Sequence, residues 1–275
     1  MTEPPLKRGT SALVIAQAIR NDIHAGKLVH GRQMPSTREL AAEWSTSVAT
    51  INRAMGILAE EGLVVNRARS SRIVHCPPAS EAVRDRAKVI LIGGYAGSGK
   101  TELGRILARR TGFAILDKDS TTRPVVEAAL EQLGTSPNDR ESDTYLSTIR
   151  PAEYEALMTT ATENASCGVS VVVTAPFVRE LRDQAWCDRT AATIDGLGAD
   201  LHTIWVRCDA DSMRRYLRHR GAARDAAKLT AWENYLEGVD LEYRPALSHR
   251  IIDNSAGARP LQEQAAELLA AIGVR

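Results

Sequence analysis

The chain has 275 residues, of which 44% are hydrophobic, 25% are charged and only 4% are aromatic, a composition typical of a globular protein with one large or two ordinary domains. No apolar run reaches the ~18 residues that a membrane span needs, which excludes a transmembrane helix. The four cysteines are widely spaced without a C-x-x-C pair, so neither a zinc site nor a disulfide framework is indicated. No signal peptide is recognised near the N-terminus, and we expect a cytoplasmic protein.

Charge divides the chain into two parts. Residues 1–77 contain ten lysines and arginines and six aspartates and glutamates, a net charge of +4, whereas residues 78–275 have a net charge of −3. The basic part therefore favours a polyanionic partner. After the basic part comes a segment that begins with prolines and continues with charged residues. We therefore predict two domains, over residues 1–77 and 88–275, joined by a linker over residues 78–87.

Residues 11–76 predict three helices followed by a β-hairpin. The first helix has apolar residues at spacings of three and four, and the second begins with Ser36 and Glu39 in the pattern of a capping box. This order is that of a winged helix-turn-helix, in which the third helix lies in the major groove of DNA and the hairpin contacts an adjacent groove. The predicted helices and strands cover residues 13–25, 37–44, 48–61, 63–67 and 72–76.

Motifs in this region resemble the DNA-binding domain of GntR-family bacterial repressors. They include Met34-Pro-Ser-Thr-Arg-Glu-Leu-Ala41, Thr50-Ile-Asn-Arg-Ala54 and Leu58-Ala-Glu-Glu-Gly-Leu63. The resemblance implies binding to a double-stranded DNA operator as a homodimer. It also implies DNA contacts from the start of the second helix, from the third helix and from the hairpin. The residues concerned are Ser36, Thr37, Arg38, Ser47, Thr50, Asn52, Arg53, Arg67, Arg69 and Arg72.

Two departures from the family pattern leave the operator sequence open. Val48 stands where the family often has arginine, and the hairpin turn contains Arg69-Ser-Ser-Arg72 where the family usually has glycines. Arginines of this region can still bind the phosphate backbone without reading bases. The alternative is that they form the solvated face of a small helical domain.

A phosphate-binding loop is predicted in the middle of the chain. Gly94-Tyr-Ala-Gly-Ser-Gly-Lys-Thr101 matches G-x-x-x-x-G-K-[ST] without a mismatch, and it lies between the apolar run 89–92 and a predicted helix over residues 101–110. Backbone N–H groups of such a loop and the helix N-terminus hold phosphates. Lys100 is expected to reach the β- and γ-phosphates of ATP, and the Thr101 hydroxyl to ligate Mg²⁺. The loop residues expected to bind nucleotide are Gly94, Gly97, Ser98, Gly99, Lys100 and Thr101.

Strands alternate with helices along the rest of the chain. This alternation predicts a doubly wound parallel sheet with ligands at the carboxyl ends of the strands. The predicted fold class is therefore α/β, with a winged helix-turn-helix domain followed by a doubly wound P-loop domain. Further strands are predicted over residues 113–116, 169–173, 201–206 and 250–252, and helices over residues 123–133, 151–165, 180–195, 209–219, 225–236 and 259–272.

Two carboxylates follow the second strand of this sheet. Asp117 and Asp119 are expected at the same edge as the phosphate-binding loop, where a carboxylate can accept a proton from a hydroxyl group or hold Mg²⁺ through water. The alternative for both carboxylates is an N-cap, because residues 120–122 lead into a helix. The third strand ends at Thr174, where an acid commonly binds the water shell of magnesium, so Asp117 is the candidate to replace that acid.

Six arginines lie between Arg207 and Arg224, a density typical of a lid that clamps phosphate charge. Arg220 and Arg224 are the candidate lid residues, and the alternative is a solvated basic helix held by i,i+4 pairs. This run and the phosphate-binding loop resemble those of small P-loop kinases of the chloramphenicol phosphotransferase, gluconate kinase and zeta-toxin groups. The resemblance implies γ-phosphoryl transfer to a small hydroxyl compound, or adenine held near Asn254. The candidate catalytic residues, from position and resemblance together, are Lys100, Asp117, Asp119 and Arg220.

These expectations combine into a transcription regulator in which ATP with Mg²⁺, or an unknown small molecule, changes operator binding. The first alternative is a small-molecule kinase with an autoregulatory DNA-binding domain. The second is a zeta-like toxin that acts on a sugar nucleotide. The sequence lacks the N-K-x-D pattern that reads guanine, which favours ATP as the nucleotide.

Overall fold

The computed structural model describes residues 11–67, 71–76, 85–222 and 225–274. The chain forms two compact units, Met1–Arg84 and Asp85–Arg275. Two of the predicted site residues, Arg69 and Arg224, lie outside the described residues. No helix in the described ranges is both long enough and apolar enough to cross a membrane.

The N-terminal unit has the predicted order of three helices and an antiparallel hairpin. Each helix follows a serine (Ser11, Ser36 or Ser47) whose side chain accepts a hydrogen bond from the N–H three residues later, which satisfies a donor that the helix cannot. The capping box at Ser36 is complete, because Glu39 accepts the Ser36 N–H at 2.6 Å. The elements are α1 (Ala12–His24), α2 (Thr37–Glu43), α3 (Val48–Glu60), β1 (Val64–Arg67) and β2 (Ser71–Val74).

A single apolar core stabilises this unit. Ile15 of α1, Ile51 and Leu58 of α3 and Val74 of β2 are fully buried in it. Because the apolar positions of α3 are used for this core, polar residues between them, such as Asn52, are exposed. The core therefore determines which side of α3 is available to a ligand.

The C-terminal unit contains a five-stranded parallel sheet. Its strand order is β4-β5-β3-β6-β7, so the direction in which strands are added reverses at the central strand β3. Residues 89–92 of β3 are fully buried on both faces, which explains why they form a continuous apolar run. Ligands of such sheets bind beyond the carboxyl ends of the strands where the order reverses. The strands are β3 (Lys88–Gly93), β4 (Ala114–Asp117), β5 (Val171–Thr174), β6 (Asp200–Arg207) and β7 (His249–Asp253).

Helices cover both faces of this sheet and confirm the predicted fold class. Leu157 and Ile194 belong to the core on one face, and Leu103 and Leu268 belong to the core on the other. The helices are α4 (Lys100–Thr111), α5 (Lys118–Gln132), α6 (Arg150–Ser166), α7 (Gln184–Gly196), α8 (Ala210–Arg220), α9 (Ala226–Thr230), α10 (Trp232–Glu237) and α11 (Leu261–Ala271).

Several helices differ in extent from their predictions because local caps and breaks are invisible to apolar periodicity. Helix α5 begins five residues early, since Asp117 caps it, and it accommodates Pro124. A π-helical turn over residues 145–149 leads into α6. The helix predicted over residues 180–195 divides at Asp183, which caps α7, and the helix predicted over residues 225–236 divides at Ala231.

Candidate nucleotide site and DNA-binding surface

The phosphate-binding loop connects β3 to α4 at the carboxyl edge of the sheet. Gly97 and Gly99 have φ angles of 83° and 92°, which glycine adopts readily. A Cβ atom at position 97 would lie 2.8 Å from the carbonyl oxygen of Met213, and one at position 99 would collide with the side-chain amide of Asn254. Both positions therefore require glycine. The first turn of α4 leaves N–H groups without intrahelical acceptors, and these groups can bind an anion.

A cavity of about 420 Å³ borders this loop and is hereafter the first cavity. Its volume lies within the usual range of small-molecule sites. The predicted residues that line it are Gly97, Gly99, Lys100, Thr101, Arg220 and Asn254. Tyr216, His219 and Leu261 also line it and were not predicted, because they are distant in sequence and carry no phosphate-binding motif.

Lys100 lies between two cavities and is the cation of the phosphate-binding motif. Its ammonium group donates to the carbonyl oxygen of Tyr95 at 3.4 Å. Burial is the main cause that lowers the pKa of Lys100 to about 8; the Arg220 guanidinium contributes in the same direction, whereas Asp119 and Asp117 oppose the shift. A phosphate group beside Lys100 would favour its charged form and offset the cost of burial.

Three side chains meet at the predicted magnesium position. The Thr101 hydroxyl donates to Asp117 Oδ2 at 3.0 Å, and the Thr174 hydroxyl donates to the same oxygen at 2.6 Å. Strands β4 and β5 are adjacent, with Asp117 paired to Thr174, so a carboxylate from the neighbouring strand lies beside the position that lacks an acid. A hydroxyl and a carboxylate are hard oxygen ligands of the kind that Mg²⁺ prefers.

Asp117 also determines where α5 begins. Its Oδ1 accepts the Ser120 N–H at 3.1 Å, which makes Asp117 the N-cap of that helix. The capping alternative is therefore confirmed for Asp117 and wrong for Asp119. Asp119 lies in the first turn of α5, with its carboxylate 3.5 Å from the Lys118 ammonium, and it lines a second cavity on the other side of Lys100.

Arg220 ends α8 and lines both cavities. Its Nε and Nη2 donate to Asp225 Oδ2 at 2.9 and 2.6 Å, and Asp225 is only 2% exposed. The alternative of a solvated helix predicts ion pairs between residues four apart on α8. The partner of Arg220 is instead Asp225, which lies five residues further on and beyond the end of α8. The ion pair places the guanidinium of Arg220 at the border between the two cavities.

Asn254 follows β7 and connects that strand to the phosphate-binding loop. Its side-chain amide donates to the carbonyl oxygen of Ser98 at 3.0 Å, and its backbone carbonyl oxygen accepts a hydrogen bond from the Tyr216 hydroxyl at 3.2 Å. Asn254 therefore positions the loop as well as lining the first cavity. A contact between adenine and this residue stays a prediction.

The described residues of the predicted DNA-contacting set lie at the start of α2, at the start of and along α3, and on the hairpin. Ser36 and Ser47 are helix caps, and the Ser47 hydroxyl also lies 2.8 Å from that of Thr50. The exposed members of the set are Ser36, Arg38, Ser47, Asn52, Arg53 and Arg67.

Arg72 of β2 bonds to side chains from three elements of the same unit. Its guanidinium donates to Thr37 Oγ1 at 3.0 Å, to Asn52 Oδ1 at 3.1 Å and to Asn66 Oδ1 at 3.3 Å. These acceptors belong to α2, α3 and β1. Arg72 therefore links the hairpin to both helices of the helix-turn-helix.

Two family models match separate parts of the chain. The model of bacterial regulatory proteins of the gntR family matches residues 12–74, and an AAA domain model matches residues 89–241. No curated protein matches the chain. Among solved structures, a candidate kinase from Chloroflexus aurantiacus J-10-fl is 18% identical, with 68% of this chain and 98% of that chain covered and a TM-score of 0.51.

Two other solved structures match one part each. The APS kinase CysC of Mycobacterium tuberculosis, in complex with AMPPNP and APS, is 22% identical, with 68% of this chain and 98% of that chain covered and a TM-score of 0.47. YtrA from Sulfolobus acidocaldarius, a GntR-family transcription factor, is 31% identical, with 27% of this chain and 79% of that chain covered and a TM-score of 0.24.

Both resemblances that the sequence predicts are confirmed by these matches. The gntR model covers the three helices and the hairpin, and the AAA domain model runs from β3 to beyond α10. The chain belongs to the AAA domain family through a kinase-like P-loop domain that covers more than half of its length, and this domain is fused to a GntR-family DNA-binding domain.

Proposed function

We propose that this protein is a cytoplasmic transcription regulator that binds operator DNA as a homodimer and whose P-loop domain binds ATP with Mg²⁺ as effector or co-substrate. The observation that carries the proposal is the fusion of a GntR-family unit to a phosphate-binding loop beside the Thr101, Asp117 and Thr174 cluster. Regulation requires that ATP bind two conformations of the protein with different affinities, because equal binding shifts no equilibrium.

A second candidate function is phosphoryl transfer to a small hydroxyl compound. It is favoured by the second cavity, which is lined by both Lys100 and Asp119. In this reaction the acceptor hydroxyl oxygen forms a bond to the γ-phosphorus while the bond from that phosphorus to the β–γ bridging oxygen breaks. ADP leaves with the electron pair, and the hydroxyl proton passes to the Asp119 carboxylate.

Gel-shift titration of the full chain on its own upstream DNA, beside an assay of γ-phosphate release, tests these functions. The regulator predicts DNA binding that is strongest at low salt and that changes when ATP and Mg²⁺ are added. Turnover that requires an added metabolite and persists without DNA would favour the kinase. Absence of DNA binding even at low salt would refute the regulator.

Arg72→Ala is expected to weaken operator binding about tenfold, or by about 1.4 kcal/mol, because α2 and α3 would lose their link to the hairpin. The lost hydrogen bonds to a charged group, each worth about 1.5–3 kcal/mol, would mainly lower the stability of the unit. Because Arg72 acts by positioning, the slope of log affinity against log salt should stay the same. Arg67→Ala is the comparison variant. Arg67 is exposed, and loss of its expected contact to a DNA phosphate should lower that slope by about one. Unchanged operator affinity in Arg72→Ala would contradict the positioning role.

A further inference from the structure

The second cavity has a volume of about 240 Å³ and lies beside the first. Lys100 and Arg220 line both cavities, so a ligand in the second cavity would lie next to the phosphate groups of a nucleotide in the first. Tyr145, Leu146 and Pro176 contribute rings and apolar groups to its wall. The space is therefore suited to a small molecule with a short carbon skeleton.

Three of the six described cations that line this cavity have carboxylate partners. Lys118 Nζ lies 2.8 Å from Glu153 Oε1, and the Arg150 guanidinium makes two hydrogen bonds to Glu180, at 2.6 and 2.9 Å. Arg220 is paired with Asp225. The remaining acidic residues of the lining are Asp119, which lies near Lys118, and Glu141, which is exposed.

Arg140 and Lys228 differ from these cations. Within the described ranges, no carboxylate lies within ion-pair distance of either side chain, and Lys228 makes no hydrogen bond. Arg140 uses one nitrogen, Nη1, to donate to the carbonyl oxygens of Pro137 and Asp139. Its other guanidinium nitrogens retain donors in the planar arrangement that suits carboxylate and phosphate groups.

A buried network holds Arg140 in place before any ligand binds. Its guanidinium carbon lies 5.3 Å from the centre of the Tyr145 ring, a cation–π contact. The Tyr145 hydroxyl donates to Glu153 at 2.7 Å, and Glu153 is 4% exposed and also accepts from Thr122 at 2.6 Å. Burial opposes the charge of Glu153, but Lys118 and the hydroxyl donors outweigh burial and lower its pKa. The wall beside Arg140 is therefore preorganised.

We propose that the second cavity binds a small anionic ligand, a compound carrying a phosphate, sulfate or carboxylate group, through Arg140 and Lys228. The proposal rests on the proposed function, because the ligand would be the effector or acceptor that lies beside the nucleotide. An anion satisfies two cations that the described side chains leave without a carboxylate, and charge-assisted hydrogen bonds to such groups are the strong ones.

The test is calorimetric titration of inorganic phosphate into the full chain, with the first cavity saturated by a non-hydrolysable ATP analogue and Mg²⁺. Sulfate and acetate titrations under the same conditions distinguish the three anion classes. We expect phosphate affinity to fall at least tenfold in the double variant Arg140→Gln, Lys228→Gln, since loss of a charge-assisted contact costs about one decade or more. Affinity for the ATP analogue should not change.

Arg109→Gln is the matched control, because Arg109 is an exposed arginine on α4 and should leave phosphate affinity unchanged. If the double variant folds poorly, the single variant Lys228→Gln takes its place, because it keeps the Arg140–Tyr145 contact intact. This single variant should show a smaller loss of phosphate affinity. If each of the three anions bound the wild type and the variants with the same affinity while the nucleotide bound normally, this inference alone would be overturned. Failure of the wild-type chain to bind the nucleotide would overturn the proposed function instead.

Discussion

Lys100→Met is expected to lower the affinity for ATP at least 100-fold while leaving the thermal stability of the nucleotide-free protein unchanged or higher. The lost ammonium would otherwise make charge-assisted contacts to two phosphates, each worth about 1.5–3 kcal/mol. Stability should not fall, because burial disfavours the charged form of Lys100 and lowers its pKa to about 8. Methionine keeps the apolar part of the side chain. Nucleotide titration and thermal unfolding of the same samples measure both effects.

Lys88→Met is the matched control for this experiment. Lys88 begins β3, the strand that precedes the loop, and its ammonium lies 3.2 Å from Asp200 Oδ2. This change should reduce stability slightly and leave ATP affinity unchanged, since the residue lies at the opposite end of the strand from the loop. ATP affinity that survives in Lys100→Met would mean that the loop does not hold the phosphates as proposed.

Asp117→Asn is expected to weaken Mg²⁺-dependent ATP binding about tenfold or more, with little change in melting temperature. Removal of the negative charge takes away a metal-binding carboxylate, and loss of one contact to a charged group costs about 1.5–3 kcal/mol. Asparagine caps helices about as well as aspartate, so α5 should keep its start. Binding of ATP without Mg²⁺ should be unchanged or tighter, because a negative charge near the phosphates is gone. Titrations with and without Mg²⁺ separate these effects.

Asp209→Asn provides the control for the cap. Asp209 caps α8 by accepting the Ser212 N–H at 2.8 Å, and it does not line the first cavity. We expect that variant to retain normal Mg²⁺ dependence and nearly normal stability. If Asp117→Asn and Asp209→Asn affected Mg²⁺-dependent binding equally, Asp117 would have only its capping role.

Local patterns were sufficient to predict the two folds, because their determinants are short in sequence. The helix caps at Ser36 and Ser47 act within three residues, and the positive φ angles of Gly97 and Gly99 are a local property of the loop. The apolar run over residues 89–92 likewise follows from burial on both faces of one strand. These features depend on backbone geometry that each segment carries by itself, and the matches to both families agree with them.

The sites were predicted only in part, because their side chains come from segments that are far apart in the chain. The register of β4 with β5 places Asp117 beside Thr174, and a residue 57 positions away in sequence has no local signal that announces this contact. The start of α5 was left open for a different, local reason: Asp117 and Asp119 lie two residues apart and either could cap the helix, and only the geometry shows that Asp117 accepts the Ser120 N–H.

The sequence by itself therefore determined that a helix-turn-helix precedes a phosphate-binding loop and which residues form that loop. Only the tertiary structure decided what surrounds the loop: Asn254 against its backbone, Arg220 paired with Asp225, and a second cavity beside Lys100. The physical reason is that helices and loops are set by short-range hydrogen bonds and apolar periodicity, whereas a binding site is set by which strand ends meet at one edge of a sheet.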